Sequence, residues 1–326
     1  TFRKLGELGL LGLPYPEKYG GGGGDTVSYA IAVEELSRAC GSTGLTYAAH
    51  VSLGCAPFYL FGSEEQKQKY LTHLASGKGL GAFGLTEPQA GSDAGATRTT
   101  ARKDGDSWVL NGAKMWITSG SIADVIVATA RTIVDGEDRG VSCFVVEKGT
   151  PGFIPGKDEP KMGLKGSVTS QLFFEDCRVP AANLLGEEHR GFYSIMRNFQ
   201  NERIANGAMA VGESSRALEL TLDYVRTRKA FGATLWDKQA IRQRIAMLSA
   251  KVEAARQLLY KAAWLDAQGR EIVKDVSMVK ALCGELVNEV MYDCQQFHGG
   301  FGYIRESAIE RMVRDARIQS IGGGAT

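Results

Sequence analysis

The sequence predicts a mostly α-helical protein with a central β-domain, and three observations along its 326 residues support this fold class. The first segment contains two helix-start signals, and the middle segment is rich in β-branched and aromatic residues. The last segment has apolar residues at alternating spacings of four and three, the pattern of helices that bury one face. We therefore expect three domains, at residues 1–79, 80–182 and 183–326.

The helix signals of the first domain are local. Asp25 or Thr26 can cap a helix that stops at Gly41, and Ser63-Glu64-Glu65-Gln66 is a capping box that opens another helix. The glycine run at 20–24 follows no strand and precedes no Lys-Ser or Lys-Thr pair. It therefore predicts a flexible connection and not a phosphate-binding loop.

The middle domain shows strand patterns. Ser107–Leu110 and Lys114–Thr118, separated by Asn111-Gly112, predict a hairpin with a two-residue turn. Further strands are predicted at residues 125–129, 141–146 and 171–174.

Two long helices are predicted in the last domain. The apolar stripe of the first consists of Ile241, Ile245, Leu248, Val252, Ala255, Leu259 and Ala262. The stripe of the second consists of Val279, Cys283, Leu286 and Val290. Stripes of this kind bury themselves against one another, which predicts an antiparallel bundle.

The composition argues against several classes of protein. A net charge of +1 does not suit a protein that binds duplex nucleic acid, because phosphate contacts need an excess of lysine and arginine. No apolar run approaches the ~20 residues of a membrane span. The four histidines and six cysteines show no metal-ligand spacing and no CxxC motif. We expect no metal site, and cysteines that are reduced thiols of the core.

The segment from Phe83 to Asp93 is too polar and too rich in glycine for a core strand. The hydroxyls of Thr86 and Ser92 and the exposed NH groups around Gly91 suit a planar cofactor that carries a diphosphate. They suit a polar surface loop equally well, so the residues alone leave both interpretations open.

Four motifs resemble those of the acyl-CoA dehydrogenases, in the order and at the spacings of that family. They are Leu85-Thr86-Glu87-Pro88-Gln89-Ala90-Gly91-Ser92-Asp93, Lys114-Met115-Trp116-Ile117-Thr118, Arg226-Thr227-Arg228-Lys229-Ala230-Phe231-Gly232 with Gln239, and Gln296-Phe297-His298-Gly299-Gly300-Phe301-Gly302-Tyr303 followed by Arg314-Asp315-Ala316-Arg317. The resemblance covers essentially the whole chain. It implies N-terminal helices, a middle β-barrel-like domain, a C-terminal four-helix bundle and FAD as cofactor.

The resemblance also implies which residues hold FAD. The backbone around Phe83, Leu85 and Thr86 is expected at the pyrimidine side of the isoalloxazine, with Trp116 shielding the ring and the Thr118 hydroxyl reaching flavin N5. The other expected cofactor residues are Gly91, Ser92, Ile117, Arg228, Phe231, Gln239, Gln296, Gly299 and Gly300. In this family those that meet the diphosphate and adenosine come from a neighbouring subunit. The resemblance therefore implies a homotetramer, a dimer of dimers with shared FAD sites.

The reaction also needs a base beside the α-carbon, and burial of a carboxylate raises its pKa and its basicity. Many family members place this glutamate in a C-terminal segment ending Glu-Gly-Thr, where this chain has Gly323. A subset with isovaleryl and long-chain members carries it on an earlier helix, where this chain has Glu202. The resemblance implies that Glu202 is the base; the alternative is a solvated helix acid beside an arginine. Ser92, Gln200, Arg203, Gly322 and Gly323 are expected at the substrate.

The implied reaction is α,β-dehydrogenation of an acyl-CoA thioester to the trans-2-enoyl-CoA. Glu202 takes the α-proton, flavin N5 accepts the β-hydride, and the electrons pass to an electron-transfer flavoprotein. The missing side chains at Gly322 and Gly323 favour a medium, long or branched acyl chain. Two alternatives stay open: an oxygen-using oxidase of the same fold, and a DNA-associated homologue, against which the low net charge counts.

The first residues show no basic stretch followed by an apolar one, so we expect no signal peptide or other targeting segment in this sequence. We expect a cytoplasmic location in a bacterium, or the mitochondrial matrix in a eukaryote. Compared with the family, a first helix before Thr1 and a tail after Thr326 are expected to be missing, and that tail would cover part of the FAD.

Overall fold

The computed structural model describes residues 1–326, which divide into two compact units. The first comprises Thr1–Asp25, Thr46–Pro160 and Gly166–Glu202, and the second comprises Thr26–Leu45, Lys161–Lys165 and Arg203–Thr326. The predicted order of helices, then strands, then helices is confirmed. The domain boundaries at residues 79 and 182 stay a prediction.

Ten α-helices and ten strands make up the chain. The helices are α1 (Phe2–Glu7), α2 (Thr26–Ala39), α3 (Gly41–Ala49), α4 (Ala56–Phe61), α5 (Glu64–Gln66), α6 (Thr72–Ala75), α7 (Gly191–Thr227), α8 (Gln239–Ala267), α9 (Val273–His298) and α10 (Ala308–Ala316). The strands are β1 (Gly81–Gly84), β2 (Thr100–Asp104), β3 (Ser107–Thr118), β4 (Val125–Val134), β5 (Glu137–Glu147), β6 (Phe153–Asp158), β7 (Thr169–Pro180), β8 (Leu184–Leu185), β9 (Lys229–Ala230) and β10 (Ala233–Thr234). None of the helices is both long enough and apolar enough to cross a membrane.

The capping box at Ser63 is confirmed. The Ser63 Oγ accepts a hydrogen bond from the Gln66 backbone NH at 3.2 Å, and the Gln66 Oε1 accepts one from the Ser63 NH at 3.1 Å. This pair satisfies two backbone donors at the start of α5. A π-helical turn, Lys67–Leu71, then joins α5 to α6.

The glycine run is held in place, so the prediction of a flexible connection is wrong. The NH groups of Gly22, Gly23 and Gly24 donate to backbone carbonyls of the preceding loop at 2.8–3.0 Å. A Cβ at Gly21 would lie 2.1 Å from the carbonyl oxygen of Tyr15. The run is rich in glycine because two backbones approach each other closely, which only residues without a Cβ permit.

One mixed sheet of eight strands forms the middle of the chain, in the order β6-β7-β3-β2-β4-β5-β8 with β1 paired to β4. The pairings of β1 and of β2 with β4 are parallel and the others are antiparallel. Alternate residues of these strands enter one apolar core, in which the rings of Trp108 and Phe144 meet edge to face at 5.3 Å. The predicted strands at residues 125–129, 141–146 and 171–174 all lie within observed ones.

The predicted hairpin at Asn111-Gly112 is wrong, because β3 runs through both residues. The pairing of β3 with β7 shifts register between Leu110 and Gly112, where β7 has one residue more than β3, so these residues lie opposite a bulge of β7 and do not form a turn. Gly112 has a φ of 147°, and a Cβ there would lie 2.5 Å from the Thr99 side chain. The Asn-Gly pair therefore marks a strand irregularity with a close approach.

The helices of the second unit show the predicted stripes. Of the α8 stripe every member except Ile241 is buried, and all four members of the α9 stripe are buried. Arg244 near the start of α8 binds Asp293 near the end of α9 at 2.6 Å, so the two helices are antiparallel. Glu34 of α2 ties that helix to α8 by bonds to Arg256 at 3.0 Å and Tyr260 at 2.8 Å.

Candidate functional site

A polar loop follows β1 in the first unit. Phe83 and Leu85 are buried, and Thr86 is half-buried. Glu87 and Ala90 exchange two backbone hydrogen bonds, of 3.0 and 3.1 Å, which close a tight turn. Beyond this turn Gly91 and Ser92 are exposed, and a Cβ on Gly91 would meet nothing within 4 Å. The loop thus presents open backbone at the position predicted to meet a diphosphate.

A buried ion pair holds this loop against the sheet. The Lys114 Nζ lies 2.7 Å from the Glu87 Oε1, and both side chains have at most 1% exposure. The same ammonium donates to the Leu85 carbonyl at 3.1 Å and to the Thr129 hydroxyl at 2.9 Å. All three of its protons therefore have an acceptor, which a buried ammonium requires.

The Glu87 carboxylate is equally well satisfied. It accepts hydrogen bonds from the backbone NH groups of Arg98 at 2.7 Å and Thr99 at 3.1 Å, and from the Gln89 amide at 2.7 Å. Burial lowers the pKa of Lys114 to about 8, against the attraction of Glu87. Burial also opposes ionisation of Glu87, but Lys114 and the two NH donors hold its pKa below the usual value. The pair is therefore charged at neutral pH.

Trp116 occupies a second irregularity of β3. The register with β7 shifts between Lys114 and Ile117, so one extra residue stands on β3. The Met115 NH donates to the Thr86 carbonyl at 2.7 Å instead of to β7. Trp116 has a φ of 59° and its side chain is 57% exposed, although it is a large aromatic residue. A left-handed bulky residue is rare and costs energy, and such residues cluster at binding sites.

These residues fit the flavin that the sequence predicts. An exposed indole, the half-buried hydroxyls of Thr86 and Thr118, and the open backbone at Gly91 and Ser92 belong to one unit. An aromatic face suits a planar ring, and exposed NH groups with a nearby hydroxyl suit an anionic chain. The individual FAD contacts, including those of Ile117, stay predictions.

Glu202 is half-buried in α7 and is the last residue of the first unit. Gln200 is also half-buried, and Arg203 donates to the Ser277 hydroxyl at 3.4 Å. Asn198, four residues before Glu202, is 1% exposed. Residues four apart share one face of a helix, so Asn198 and Glu202 lie one above the other.

The predicted cofactor residues of the second unit are exposed. Phe231 has a φ of 54° and is 97% exposed, and Arg228 beside it is also exposed. The other exposed members are Gln239, Gln296, Gly299 and Gly300. A Cβ on Gly299 or Gly300 would meet nothing within 4 Å. A fully exposed phenylalanine is costly unless something covers it, which fits the predicted role at a neighbouring subunit's cofactor.

The backbone conformation at Gly323 disfavours any residue that has a side chain. Its φ is 66°, in the left-handed region that residues with a Cβ rarely adopt. Gly322 beside it has ordinary surroundings for a Cβ, with its first neighbour at 3.6 Å. A glutamate in place of Gly323 would therefore be strained, which agrees with a base located elsewhere.

Lys114 and Glu87 were not predicted as functional residues. Lys114 and Glu87 stand in the motifs, but their contact joins residues 27 apart, which no local pattern reveals. The signal available was a lysine between two apolar residues, Ala113 and Met115, within a strand, since a lysine that becomes buried there almost never lacks a partner.

Three family models match nearly the whole chain. The acyl-CoA dehydrogenase N-terminal domain matches residues 1–78, the middle domain residues 82–177 and the C-terminal domain residues 189–326. Among curated relatives, the probable acyl-CoA dehydrogenase YngJ of Bacillus subtilis is 48% identical over 100% of this chain and 86% of its own length. The human mitochondrial short-chain specific acyl-CoA dehydrogenase is 43% identical over 99% of this chain and 79% of its own.

Solved structures give the same result. A chain in the structure of the electron transferring flavoprotein of Acidaminococcus fermentans is 44% identical, with a TM-score of 0.96 over 99% of this chain and 85% of its own. Butyryl-CoA dehydrogenase from Megasphaera elsdenii is 40% identical, with a TM-score of 0.96 over 99% and 86%. An acyl-CoA dehydrogenase from Bacillus anthracis, complexed with FAD, is 38% identical, with a TM-score of 0.94 over 99% and 58%.

Proposed function

The chain belongs to the acyl-CoA dehydrogenase family, and we propose that Glu202 is the base that removes the α-proton of its acyl-CoA substrate. The protein is an acyl-CoA dehydrogenase with FAD as its cofactor. The assignment of the base rests on a comparison of the two positions where the family carries its glutamate, which are Glu202 and Gly323 in this chain. Glu202 stands half-buried on α7, whereas Gly323 has a backbone conformation that disfavours any side chain.

The reaction removes two hydrogens from the acyl chain. Glu202 accepts the proton from Cα, the electron pair of that bond becomes the new Cα=Cβ bond, and hydride leaves Cβ. FAD, when bound, supplies the acceptor for that hydride and its two electrons. A base works best in a site from which water is expelled, since desolvation raises the basicity of a carboxylate. The thioester oxygen gains negative charge as Cα loses its proton and needs hydrogen-bond donors.

An electron-transfer flavoprotein is the proposed acceptor of the electrons. Support comes from the related chain in the structure of the electron transferring flavoprotein of Acidaminococcus fermentans. We also propose a tetramer in which Phe231 and Arg228 reach the cofactor of a neighbouring subunit, because Phe231 is 97% exposed.

The acyl chain is proposed to be medium, long or branched, on the basis of the side chains missing at Gly322 and Gly323. The named relatives do not support this preference, because they include short-chain and butyryl-CoA enzymes. Acyl length is therefore the part of the proposal that most needs a measurement.

The proposed reaction is tested by anaerobic mixing of the FAD-loaded protein with butyryl-CoA, octanoyl-CoA and isovaleryl-CoA. We expect the yellow flavin to bleach and the recovered thioester to be two hydrogens lighter. Faster bleaching with octanoyl-CoA or isovaleryl-CoA supports the roomier pocket. Strict preference for butyryl-CoA contradicts that pocket but leaves the dehydrogenase intact, whereas no bleaching with any thioester contradicts the reaction.

The acceptor is tested separately, because an oxidase of the same fold would turn over with oxygen alone. Turnover is followed with the best thioester in air, and then with an electron-transfer flavoprotein and a terminal dye. We expect little oxygen consumption and rapid dye reduction. Stoichiometric hydrogen peroxide at the same turnover rate would favour the oxidase.

A further inference from the structure

A cleft in the second unit lies at the corner where α2 ends and α3 begins, beside α7 and α10. It has a volume of about 140 Å³. All residues of its wall belong to this unit, and none of them is among those predicted to hold FAD or the substrate. The cleft is therefore a candidate for a second binding site.

Glu213 of α7 is a buried acid in the wall of this cleft. The residue is 2% exposed, and its Oε2 accepts a hydrogen bond from the Gln319 amide at 2.7 Å. Its Oε1 has no hydrogen-bond partner. That oxygen lies against Gly41, another residue of the wall, because a Cβ on this glycine would collide with it. Glu213 therefore brings one unpartnered oxygen to the cleft.

This oxygen carries a proton. Burial, and after it the charge of Asp315, raise the pKa of Glu213 well above its ordinary value, and Cys40 acts in the same direction against the bond from Gln319. The acid is therefore neutral at neutral pH. Because Oε2 already accepts a bond, the proton stands on Oε1, which is a donor. A buried donor without an acceptor is unfavourable, so Glu213 calls for an acceptor atom from a ligand.

Three arginines stand at the rim of the cleft, with side chains that are 39–55% exposed. Arg38 is paired with two glutamates. Arg216 has one contact, of 3.2 Å, with Glu219, and Arg311 lies 3.9 Å from Asp315. A guanidinium has five N–H donors, so Arg216 and Arg311 keep most of theirs for a ligand.

The remaining polar groups of the wall agree with a ligand that accepts hydrogen bonds. Ser37 is 2% exposed, and its hydroxyl has no partner. Asp315, the second acid of the wall, already accepts a bond from the Leu164 NH at 2.5 Å and faces Arg311. The groups without a partner are thus donors, and an anion supplies the acceptors that they need.

The face of α7 shows how such an anion would lie. Glu213, Arg216 and Leu220 follow one another at spacings of three and four residues, so they share one face of the helix. A carboxylate beside Glu213 and Arg216 can accept from both, one oxygen for each donor. Leu220, and Met312 on α10, then offer apolar surface to the rest of the ligand.

The volume limits the size of the ligand. An apolar cavity of roughly 150 Å³ holds one benzene, so this cleft suits a body of about six heavy atoms. We propose that the cleft binds a small organic monocarboxylate, whose carboxylate accepts hydrogen bonds from Glu213 and Arg216 and whose apolar body packs on Leu220 and Met312. This site is independent of the dehydrogenation proposed above.

The experiment is a calorimetric titration of the FAD-loaded protein with sodium isovalerate, which has seven heavy atoms. We expect one site per chain with a dissociation constant that is roughly millimolar, the range open to a ligand of this size. Three further titrants test the class of ligand. Isovaleramide lacks the charge, 3-methylbutylamine reverses it, and inorganic phosphate lacks the apolar body, so each should bind at least tenfold more weakly.

Substitutions locate the bound isovalerate. Glu213→Leu and Arg216→Met should each weaken it at least tenfold, because each removes a hydrogen bond to a charged group. Glu213→Gln keeps the size of the side chain and an N–H donor, so it should stay within about threefold of the parent. Arg270→Met is the matched control, since Arg270 is an exposed arginine in the loop after α8 and should bind as the parent does. Because Arg216 is 44% exposed, its variant tests the site even if Glu213→Leu does not fold.

Several outcomes would show that the inference is wrong. Isovalerate might give no binding heat, or bind Arg216→Met as tightly as the parent, which would mean no ligand or a ligand elsewhere. Equal affinity for phosphate would reduce the site to an unspecific attraction of anions by surface arginines. Tighter binding of the amine would reverse the class of ligand. No turnover is measured, so failure of the proposed dehydrogenation leaves this test intact.

Discussion

The Lys114 ammonium makes three contacts that hold the loop after β1 against the sheet. It joins the Leu85 carbonyl, the Glu87 carboxylate and the Thr129 hydroxyl, all within 3.1 Å. An exposed pair would contribute little, but here water is excluded from both charges. Removal of either partner leaves the other charge buried without compensation.

We expect Lys114→Met to lower the free energy of unfolding by about 3 kcal/mol, the scale of a broken buried ion pair. The loop that Lys114 anchors should loosen, so the purified variant should also retain less FAD. Chemical denaturation and the ratio of flavin to protein absorbance measure the two effects. Lys103→Met is the matched control, since Lys103 is half-exposed and 3.9 Å from its partner Glu188, and it should change stability by less than about 0.5 kcal/mol. Equal effects of the two substitutions would contradict the anchoring role.

At the scale of elements, irregular segments position the site, and these are what the sequence predicts least well. The strand pattern around Trp116 was predicted, but its bulge was not, because a bulge depends on the partner strand β7. The same limit explains the wrong hairpin at Asn111-Gly112, a pair that favours a turn unless tertiary pairing continues the strand. The stripes of α8 and α9 were predictable because helical burial repeats within one segment.

The π-helical segment His50–Cys55 supports the start of β1 through a neutral histidine. His50 is 1% exposed; its Nδ1 accepts from the Gly81 NH at 3.2 Å, and its Nε2 lies 3.1 Å from the Leu74 carbonyl. With Nδ1 as acceptor, the proton stands on Nε2. Burial lowers the pKa of His50 to about 4 from 6.5. A second proton would have to bind to Nδ1, which already accepts the hydrogen bond from the Gly81 NH.

This predicts a loss of stability in mild acid. In the unfolded chain His50 binds a proton below about pH 6.5, whereas in the folded protein it does so only below about pH 4. Between these values the unfolded state binds more protons, so the free energy of unfolding falls as the pH decreases. The full difference is roughly 3 kcal/mol. Denaturation at several pH values should show this slope in the parent and in His73→Gln, an exposed control, and a flatter one in His50→Gln. An unchanged slope in His50→Gln would contradict this role of His50.

At the scale of the whole molecule, the sequence predicted the order of helices and sheet and the family, because four motifs keep their order along the chain. The contacts that shape each site could not be predicted. Glu87 meets Lys114 27 residues away, and Gly323 shows its left-handed backbone only in three dimensions. The preference for a medium, long or branched acyl group was inferred from Gly322 and Gly323. It stays a prediction, because the length of the acyl group that fits depends on all the walls of the substrate pocket, and these come from distant parts of the chain.

Anaerobic mixing of the FAD-loaded Glu202→Gln variant with the best acyl-CoA tests the central assignment most directly. The substitution keeps the size of the side chain and removes its basicity, so we expect intact yellow flavin and bleaching slowed by at least ~10²-fold. Glu187→Gln, which changes a glutamate with an 85% exposed side chain, should bleach at the parent rate. Bleaching of Glu202→Gln at the parent rate would contradict the assignment of Glu202 as the base.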